Sequence, residues 1–159
     1  MVSTEVILRQ VTFDDSELLR RWRNDDATIR NSISQNKVQP DEHRVWLRRV
    51  ISDPNIRLYI GEVDGQSVGN IRLELSDDYA EIAVTVDAKL RKRGIGTQLI
   101  RSGCASTEKP KVIAHIRPDN QYSIRAFGNA GFHYVRNVNI CGVELRRLEY
   151  FTDIGRPRH

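Results

Sequence analysis

The chain has 159 residues and a mass of 18.3 kDa, which suits one domain over residues 1–159 and leaves no room for a second. The net charge is +4, with basic residues scattered among 21 acidic ones; this suits a small polyanionic ligand and disfavours nucleic acid, which usually needs a longer basic stripe. The sequence shows neither a signal peptide nor a run of ~18 apolar residues, so we expect a cytoplasmic protein without a membrane partner.

The N-terminal segment is predicted to hold a strand, a helix and a loop. Val6 and Leu8 alternate with polar residues, which indicates a strand. Apolar residues at helical spacing over 18–22 then predict a helix that ends near Asn24. Residues 25–38 are polar and show no period, so they predict a loop with at most one helical turn, well placed to contact a ligand.

A second helix and most of the strands follow. Pro40 is favourable at a helix start, and Trp46 and Val50 belong to the buried stripe of that helix. The pair Asp64-Gly65 is a hairpin signal. Strands are predicted near residues 58–60 and over about residues 67–75, 79–86, 112–116, 132–137 and 142–151.

Two further helices complete the predicted fold: one opens near Gly94, and the other is capped by Asp119 or Asn120 and ends at Gly131. The order β-α-α-β-β-β-α-β-α-β-β predicts an α/β (α+β) domain, with a mixed, mostly antiparallel sheet of about seven strands and about four helices. Cys104 and Cys141 fit no metal-ligand spacing and are predicted to be buried thiols. The tail after Gly155 has no core-forming pattern.

A basic loop with two glycines joins the strand at residues 79–86 to the next helix. The first N–H groups of a helix lack intrahelical partners, and glycines let an anion approach them. We therefore expect a phosphate on the segment Arg91, Lys92, Arg93, Gly94, Ile95, Gly96 and Thr97. The alternative is a tight turn with a solvated basic rim, because neither GxxxxGK[ST] nor GxGxxG is present.

Two motifs resemble the GNAT superfamily of N-acetyltransferases. Arg91, Gly94 and Gly96 match the pattern [Q/R]xxGx[G/A], and residues 120–132 are similar to the block NxxSxxxxxxxGF that follows it in these enzymes. The resemblance implies that the protein is an acetyl-CoA-dependent enzyme without a metal, which transfers an acetyl group directly to a primary amine.

The resemblance also implies cofactor contacts. In the family the loop holds the pyrophosphate, and the pantetheine arm pairs with the exposed edge of the fourth strand. On that likeness the cofactor contacts beyond the loop are the backbone of Val84, Thr85 and Val86, the polar side chains of Asn120 and Ser123, and Phe127. Many members carry a tyrosine at the position of Phe127, and phenylalanine cannot protonate the departing thiolate. Tyr122, Tyr134 or a water is expected to replace it, unless the thiolate leaves unassisted.

Glu81 and His43 are the candidates for the catalytic base. Glu81 precedes Arg91 by the same ten residues that separate a strand glutamate from the loop in histone-type members, and it alternates away from the core-facing residues. His43 borders the apolar stripe of its helix. The alternatives are an exposed strand glutamate and a half-buried structural histidine. His115 and His133 are expected to be packing or surface residues.

The acceptor is predicted from the N-terminal half. The stretches LLRRWRNDDATIRNS and DEHRVWL resemble bacterial acetyltransferases of nucleotide-linked amino sugars, such as that of pseudaminic acid biosynthesis. This likeness places Trp22, Arg23, Asn24, Arg30 and His43 toward the acceptor, although the tryptophans are also consistent with core residues and the arginines with solvated ones. The expected partner is thus a small-molecule amine, bound by a monomer or homodimer.

Three other functions stay open. The same branch of the superfamily includes acetyltransferases of ribosomal-protein N-termini and of aminoglycosides. The arginines of the N-terminal segment argue modestly against a cationic acceptor. A non-enzymatic CoA-binding sensor would gain support if Glu81 and His43 both proved remote from the thioester.

Overall fold

The computed structural model describes residues 5–155 as a seven-stranded mixed sheet with five α-helices. The strands are β1 (Ile7–Gln10), β2 (Ile56–Val63), β3 (Gln66–Leu75), β4 (Tyr79–Val86), β5 (Lys111–Ile116), β6 (His133–Ile140) and β7 (Val143–Phe151). The helices are α1 (Ser16–Arg23), α2 (Asp26–Asn31), α3 (Pro40–Ser52), α4 (Ile95–Ser106) and α5 (Gln121–Asn129). The spatial strand order is β1-β2-β3-β4-β5-β7-β6, and only β4 and β5 run parallel.

The predicted fold class and order of elements are confirmed, with α2 as the helix that the prediction omitted. Asp25 is the N-cap of α2, and its side chain accepts a hydrogen bond from the backbone N–H of Thr28. This cap offsets the weak helical pattern of the segment. The predicted unpatterned tail, residues 156–159, lies outside the described residues.

The core has two parts, one on each face of the sheet. Alternation along β3 and β4 sends Ile71, Leu73 and Ile82 toward α4, where Leu99 and Ile100 are also fully buried. The opposite face holds a smaller cluster under α1 and α3: Val11, Leu19, Trp22, Leu47 and Ile60. The smaller cluster leaves part of this second face available for a ligand.

The two cysteines differ from the prediction in one respect. Cys104 is buried in α4, and burial raises the pKa of its thiol to about 12. Cys141 is exposed in the turn between β6 and β7, with φ of 52°, so the prediction of a buried thiol was wrong there. None of the helices in residues 5–155 is long and apolar enough to cross a membrane.

Candidate active site

The parallel strands β4 and β5 pair at one end only. Their register joins Tyr79–Glu81 to Lys111–Ile113, and no pairing continues from Ile82 to Val86. A cleft of about 670 Å³ opens at this point. Its walls include β4 residues 81–86, Arg91, Gly96, His115, and the α5 residues Asn120, Tyr122, Ser123, Ala126 and Phe127. Backbone N–H and C=O groups on this edge of β4 are thus available to an extended ligand.

The cleft contains the start of α4. Gly94 is the N-cap with φ of 79°, a left-handed conformation that glycine adopts without strain, and a Cβ there would meet nothing within 4 Å. Lys92 also has a positive φ, of 67°, and lies with Arg93 on the exposed side of the loop. Unpaired N–H groups at the first turn and the helix dipole are suited to binding an anion.

Arg91 is held by an ion pair. Its Nη2 lies 2.8 Å from Asp25 Oδ2 and 3.3 Å from Thr28 Oγ1. Burial alone would raise the pKa of Asp25, but the hydrogen bonds from Arg91 and Thr28 lower it overall. Arg91 therefore joins the loop before α4 to α2, and its charge is largely balanced.

Residues of the second sequence motif lie at the start of α5 and along it, where they line the cleft. Asn120 caps the helix, and its Oδ1 accepts from the backbone N–H of Ser123 at 3.2 Å. The Tyr122 hydroxyl lies 3.5 Å from the position that a Cβ on Gly96 would occupy. Phe127 is buried against Phe132 in an edge-to-face arrangement. By contrast, Tyr134 is 55% exposed on β6 and is not among the residues that line the cleft.

Glu81 and His115 connect the two strands where they separate. Oε1 of Glu81 and Nδ1 of His115 are hydrogen-bonded, and both residues line the cleft. We assign the proton to Nδ1 because the carboxylate accepts, which leaves the lone pair of Nε2 available. Glu81 faces away from Ile82, as its alternation predicts. The sequence did not predict the contribution of His115, because the pairing of β4 with β5 cannot be read from its local pattern.

His43 lies on the opposite side of the sheet from α4, in a second cavity of about 220 Å³. This acceptor-side cavity is lined by Leu19, Arg23, Val38, Glu42, His43, Trp46, Leu58, Asn70, Arg72, Ala83 and Thr85. His43 is buried, and its Nδ1 lies 3.0 Å from the hydroxyl oxygen of Ser16. Burial, and then the charge of Arg20, lower the pKa of His43, so the neutral ring is favoured.

Arg23 and Arg72 line both the cleft and the acceptor-side cavity. Among residues 5–155, Nη1 of Arg23 and Nε of Arg72 are buried without a hydrogen-bond partner. The sequence predicted Arg23 for the acceptor pocket but did not predict Arg72. A strand arginine between apolar neighbours carries no motif, and only the pairing of β3 with β4 places it opposite Ala83.

The other residues predicted for the acceptor do not line either cavity. Trp22 is a core residue that is 4% exposed, and its Nε1 donates to Asp87. Asn24 makes two hydrogen bonds of 2.8 Å to the backbone of Val38. The side chain of Arg30 is exposed on α2. Asn24 holds the segment at Val38, but none of the three residues forms part of the walls of either cavity.

Three comparisons with known proteins agree with this architecture. An L-amino acid N-acetyltransferase of Escherichia coli strain K12 is 20% identical over 138 residues, covering 81% of this chain and 83% of the relative. The aminoglycoside acetyltransferase AAC(6')-Ib with ribostamycin and coenzyme A has a TM-score of 0.82 at 19% identity, covering 92% of this chain and 93% of that one. The spermidine N-acetyltransferase of Vibrio cholerae with CoA and spermine has a TM-score of 0.85 at 16% identity, covering 96% and 99%.

At these identities the solved structures show a shared fold and nothing finer about the acceptor. The family is shown by a different match, because the model of the acetyltransferase (GNAT) domain covers residues 5–133. That region includes both walls of the cleft and the start of α4. The chain therefore belongs to the GNAT acetyltransferase domain family, and it is an N-acetyltransferase.

Proposed function

We propose that the protein transfers the acetyl group of acetyl-CoA directly to the primary amine of a small-molecule acceptor in the cytoplasm. The observation that carries this proposal is the cleft between β4 and β5, which exposes the edge of β4 and reaches the start of α4. The cleft and the acceptor-side cavity share Arg23, Arg72, Ala83 and Thr85. The two partners of the reaction can therefore meet at β4.

The residues present fit acetyl-CoA. The backbone N–H groups from Gly94 to Thr97 would bind the diphosphate, with Lys92 and Arg93 adding positive charge. The backbone of 84–86 would pair with the pantetheine amides, beside Asn120 and Ser123. When bound, the cofactor supplies a thioester whose carbonyl carbon the amine attacks, so that an N–C bond forms and the C–S bond breaks.

The protein must first accept a proton from the acceptor. An alkyl ammonium with a pKa of ~10.4 costs about 4.6 kcal/mol to deprotonate at pH 7. The pair of Glu81 and His115 lines the cleft, and Nε2 of His115 can take this proton while Glu81 holds Nδ1–H and orients the ring. His43 is another candidate base, in the acceptor-side cavity, and burial lowers its pKa and favours its neutral ring.

A proton donor for the leaving sulfur is also available. Tyr122 places a hydroxyl beside Gly96 in the cleft, whereas Phe127 has no proton to donate. Tyr122 is the candidate to return a proton to the sulfur as it leaves, and Tyr134 lies outside the cleft.

The comparisons suggest several candidate classes of acceptor. The relatives act on L-amino acids, aminoglycosides or spermidine according to their names, and the aminoglycoside and spermine complexes support a small-molecule amine. The nucleotide-linked amino sugar predicted from the sequence is a further candidate, to be tested beside them.

A thiol-release assay with acetyl-CoA tests the proposal. We expect free CoA to appear only when an acceptor is present, and acetyl-CoA to give a saturable heat in calorimetry. The acceptor panel contains L-amino acids, polyamines, aminoglycosides, UDP-linked amino sugars and N-terminal peptides. Turnover of peptides alone would reject a small-molecule acceptor, and absence of acetyl-CoA binding would reject the enzymatic assignment.

A further inference from the structure

The acceptor-side cavity is small and meets the cofactor cleft at one place. Its volume is about 220 Å³, below the range of about 300–1,000 Å³ that is typical for sites of drug-sized ligands. Ala83 and Thr85 of β4, together with Arg23 and Arg72, belong to the walls of both spaces. A ligand in this cavity therefore lies beside the strand on which acetyl transfer is proposed to occur.

Two guanidinium groups in the shared wall have unused donors. Nη2 of Arg23 donates to the carbonyl oxygen of Ser34 at 2.8 Å, but its Nη1 has no partner among the described residues. Nε of Arg72 lies 3.3 Å from Oε1 of Glu74 without the geometry of a hydrogen bond. A buried cationic donor without an acceptor is unfavourable, so both atoms favour an anionic ligand.

The charges around the pair are only partly balanced. Burial, and then the positive charge of Arg72, lower the pKa of Arg23, whereas Glu42 raises it, and Glu74 forms an ion pair with Arg72. The carboxylates nearby are those of Glu42, which is exposed at the rim, and Glu74, which lies beside Arg72. Neither of them forms a hydrogen bond with the unused donors. An anion between the arginines would screen their repulsion and could accept charge-assisted hydrogen bonds from the two guanidinium groups.

We propose that Arg23 and Arg72 form a carboxylate clamp, and that the acceptor is a small amine that carries a carboxylate, as an α-amino acid does. This inference rests on the proposed function and names the acceptor class of the same site. The clamp binds the carboxylate, so that the amine on the neighbouring carbon points toward β4 and the cleft. A small volume favours this acceptor over a nucleotide-linked sugar, and the two cations disfavour polyamines and aminoglycosides.

The decisive comparison is between L-amino acids and their carboxamides, which are similar in size and shape but lack the charge that the clamp would recognise. The α-amine is less basic in the amides, so kcat/KM is expressed per neutral amine. Steady-state thiol release gives kcat and KM for each pair, and calorimetry with the same compounds measures binding without turnover. We expect the acids to have kcat/KM about 10- to 100-fold above the amides, the range for loss of a hydrogen bond to a charged group. Spermidine, kanamycin and a UDP-linked amino sugar complete the panel.

Variants of the clamp provide the second test. Arg72→Gln should raise KM for the acids about 10- to 100-fold, leave KM for the amides unchanged and remove the preference for acids. Affinity for acetyl-CoA should not change. Arg23→Gln should act in the same way, but it also removes the bond to Ser34, so Arg72→Gln is the cleaner variant. Arg49→Gln, an exposed position on α3, is the matched control and should match the unmodified protein.

Each alternative outcome is distinguishable. If the amides react as well as the acids, if Arg72→Gln keeps the preference, or if no amino acid produces heat, the clamp is wrong. Turnover of polyamines, aminoglycosides or the UDP-linked sugar alone also overturns the clamp but leaves the proposed function intact. Failure of acetyl-CoA to bind, with no release of CoA for any acceptor, rejects the proposed function itself.

Discussion

The proposed proton transfer would use two side chains from different strands, Glu81 of β4 and His115 of β5, which are hydrogen-bonded to each other. We predict that Glu81→Gln lowers kcat about 100-fold. An amide does not orient the imidazole of His115 as a carboxylate does, and it does not stabilise the imidazolium that forms when His115 accepts the proton. The KM for acetyl-CoA should change little, since its proposed contacts are the loop, the backbone of residues 84–86 and the start of α5, and none of them involves the side chain of Glu81. Thiol-release kinetics at saturating acceptor measure both quantities.

His115→Gln and the double variant complete this experiment. If the two residues act as a unit, the double variant loses no more activity than the single variant with the greater loss. Glu108→Gln, an exposed position between α4 and β5, is the control and should keep full activity. Full additivity of the two single losses would contradict a shared role.

His43 provides a prediction about stability. Burial lowers its folded-state pKa below the value in the unfolded chain, so the unfolded chain takes up a proton first as the pH falls. The stabilisation that the buried neutral ring gives the folded state is fully present above the pKa of His43 in the unfolded chain, ~6.5. It is lost as the pH falls toward the pKa of His43 in the folded chain. Urea unfolding between pH 7.5 and 5.5 should show a steeper loss for the unmodified protein than for His43→Gln. Parallel curves would refute this assignment.

At the residue scale, the sequence predicts what alternation and local motifs determine. The orientation of Glu81 follows from the two-residue period of β4, and residue type predicts a cap at Asp119 or Asn120, of which the structure uses Asn120. The partners of these residues depend on long-range pairing. His115 reaches Glu81 only because β5 pairs in parallel with β4. The side chain of Asn24 is hydrogen-bonded to the backbone of Val38 because the chain after α2 passes close to the end of α1.

The backbone strain expected at the start of α4 can be measured by replacing Gly94 with alanine and comparing it with the same substitution at Gly128 in α5. Gly94 has φ of 79°, so Gly94→Ala is expected to cost about 1–2 kcal/mol of unfolding free energy. Gly128 lies inside α5 with open space around it and no left-handed backbone, so Gly128→Ala should stabilise the protein by about 0.5–1 kcal/mol. Urea denaturation of both variants measures these opposite changes.

The affinity for acetyl-CoA of Gly94→Ala and Gly128→Ala distinguishes backbone strain at Gly94 from a role of Gly94 in cofactor binding. A methyl group at Gly94 would lie where a diphosphate approaches the first turn of α4, so acetyl-CoA should bind about 10-fold more weakly to Gly94→Ala. Calorimetry of Gly128→Ala should give the unmodified affinity. Equal affinities for both variants would mean that the diphosphate does not use this helix start.

Among the helices and strands, those with a clear periodic pattern of apolar residues were predicted best. The bounds of β4 agree with the prediction, because β-branched residues alternate between clear turn signals. The helix α2 was missed because it is short, buries none of its residues and is stabilised by its cap and by Arg91. The open angle between β4 and β5 came from the family resemblance alone, since composition carries no signal for strands that separate.

Across the whole molecule, arginines of the C-terminal half hold the N-terminal segment beside the cleft. Arg91 pairs with Asp25, and Arg117, just after β5, donates to the carbonyl oxygens of Ser32 and Ile33 at 2.8–3.4 Å. The segment around residues 32–38 contributes Val38 to the acceptor-side cavity and Ser34 to the cleft, where the carbonyl oxygen of Ser34 accepts from Arg23. The position of this segment thus depends in part on hydrogen bonds between residues more than 80 positions apart in sequence.

Arg117→Ala should release this segment without disturbing the cofactor loop. The loss of hydrogen bonds from a charged donor, about 1.5 kcal/mol, should raise the population of the open segment about tenfold. Trypsin should then cleave after Lys37 about tenfold faster, and KM for the acceptor should rise while the affinity for acetyl-CoA is kept. Arg125→Ala, an exposed position on α5, removes a similar side chain and should change neither quantity. If Arg117→Ala is cleaved at the unmodified rate, these hydrogen bonds do not restrain the segment, and its position must depend on Asn24 and Arg23 instead.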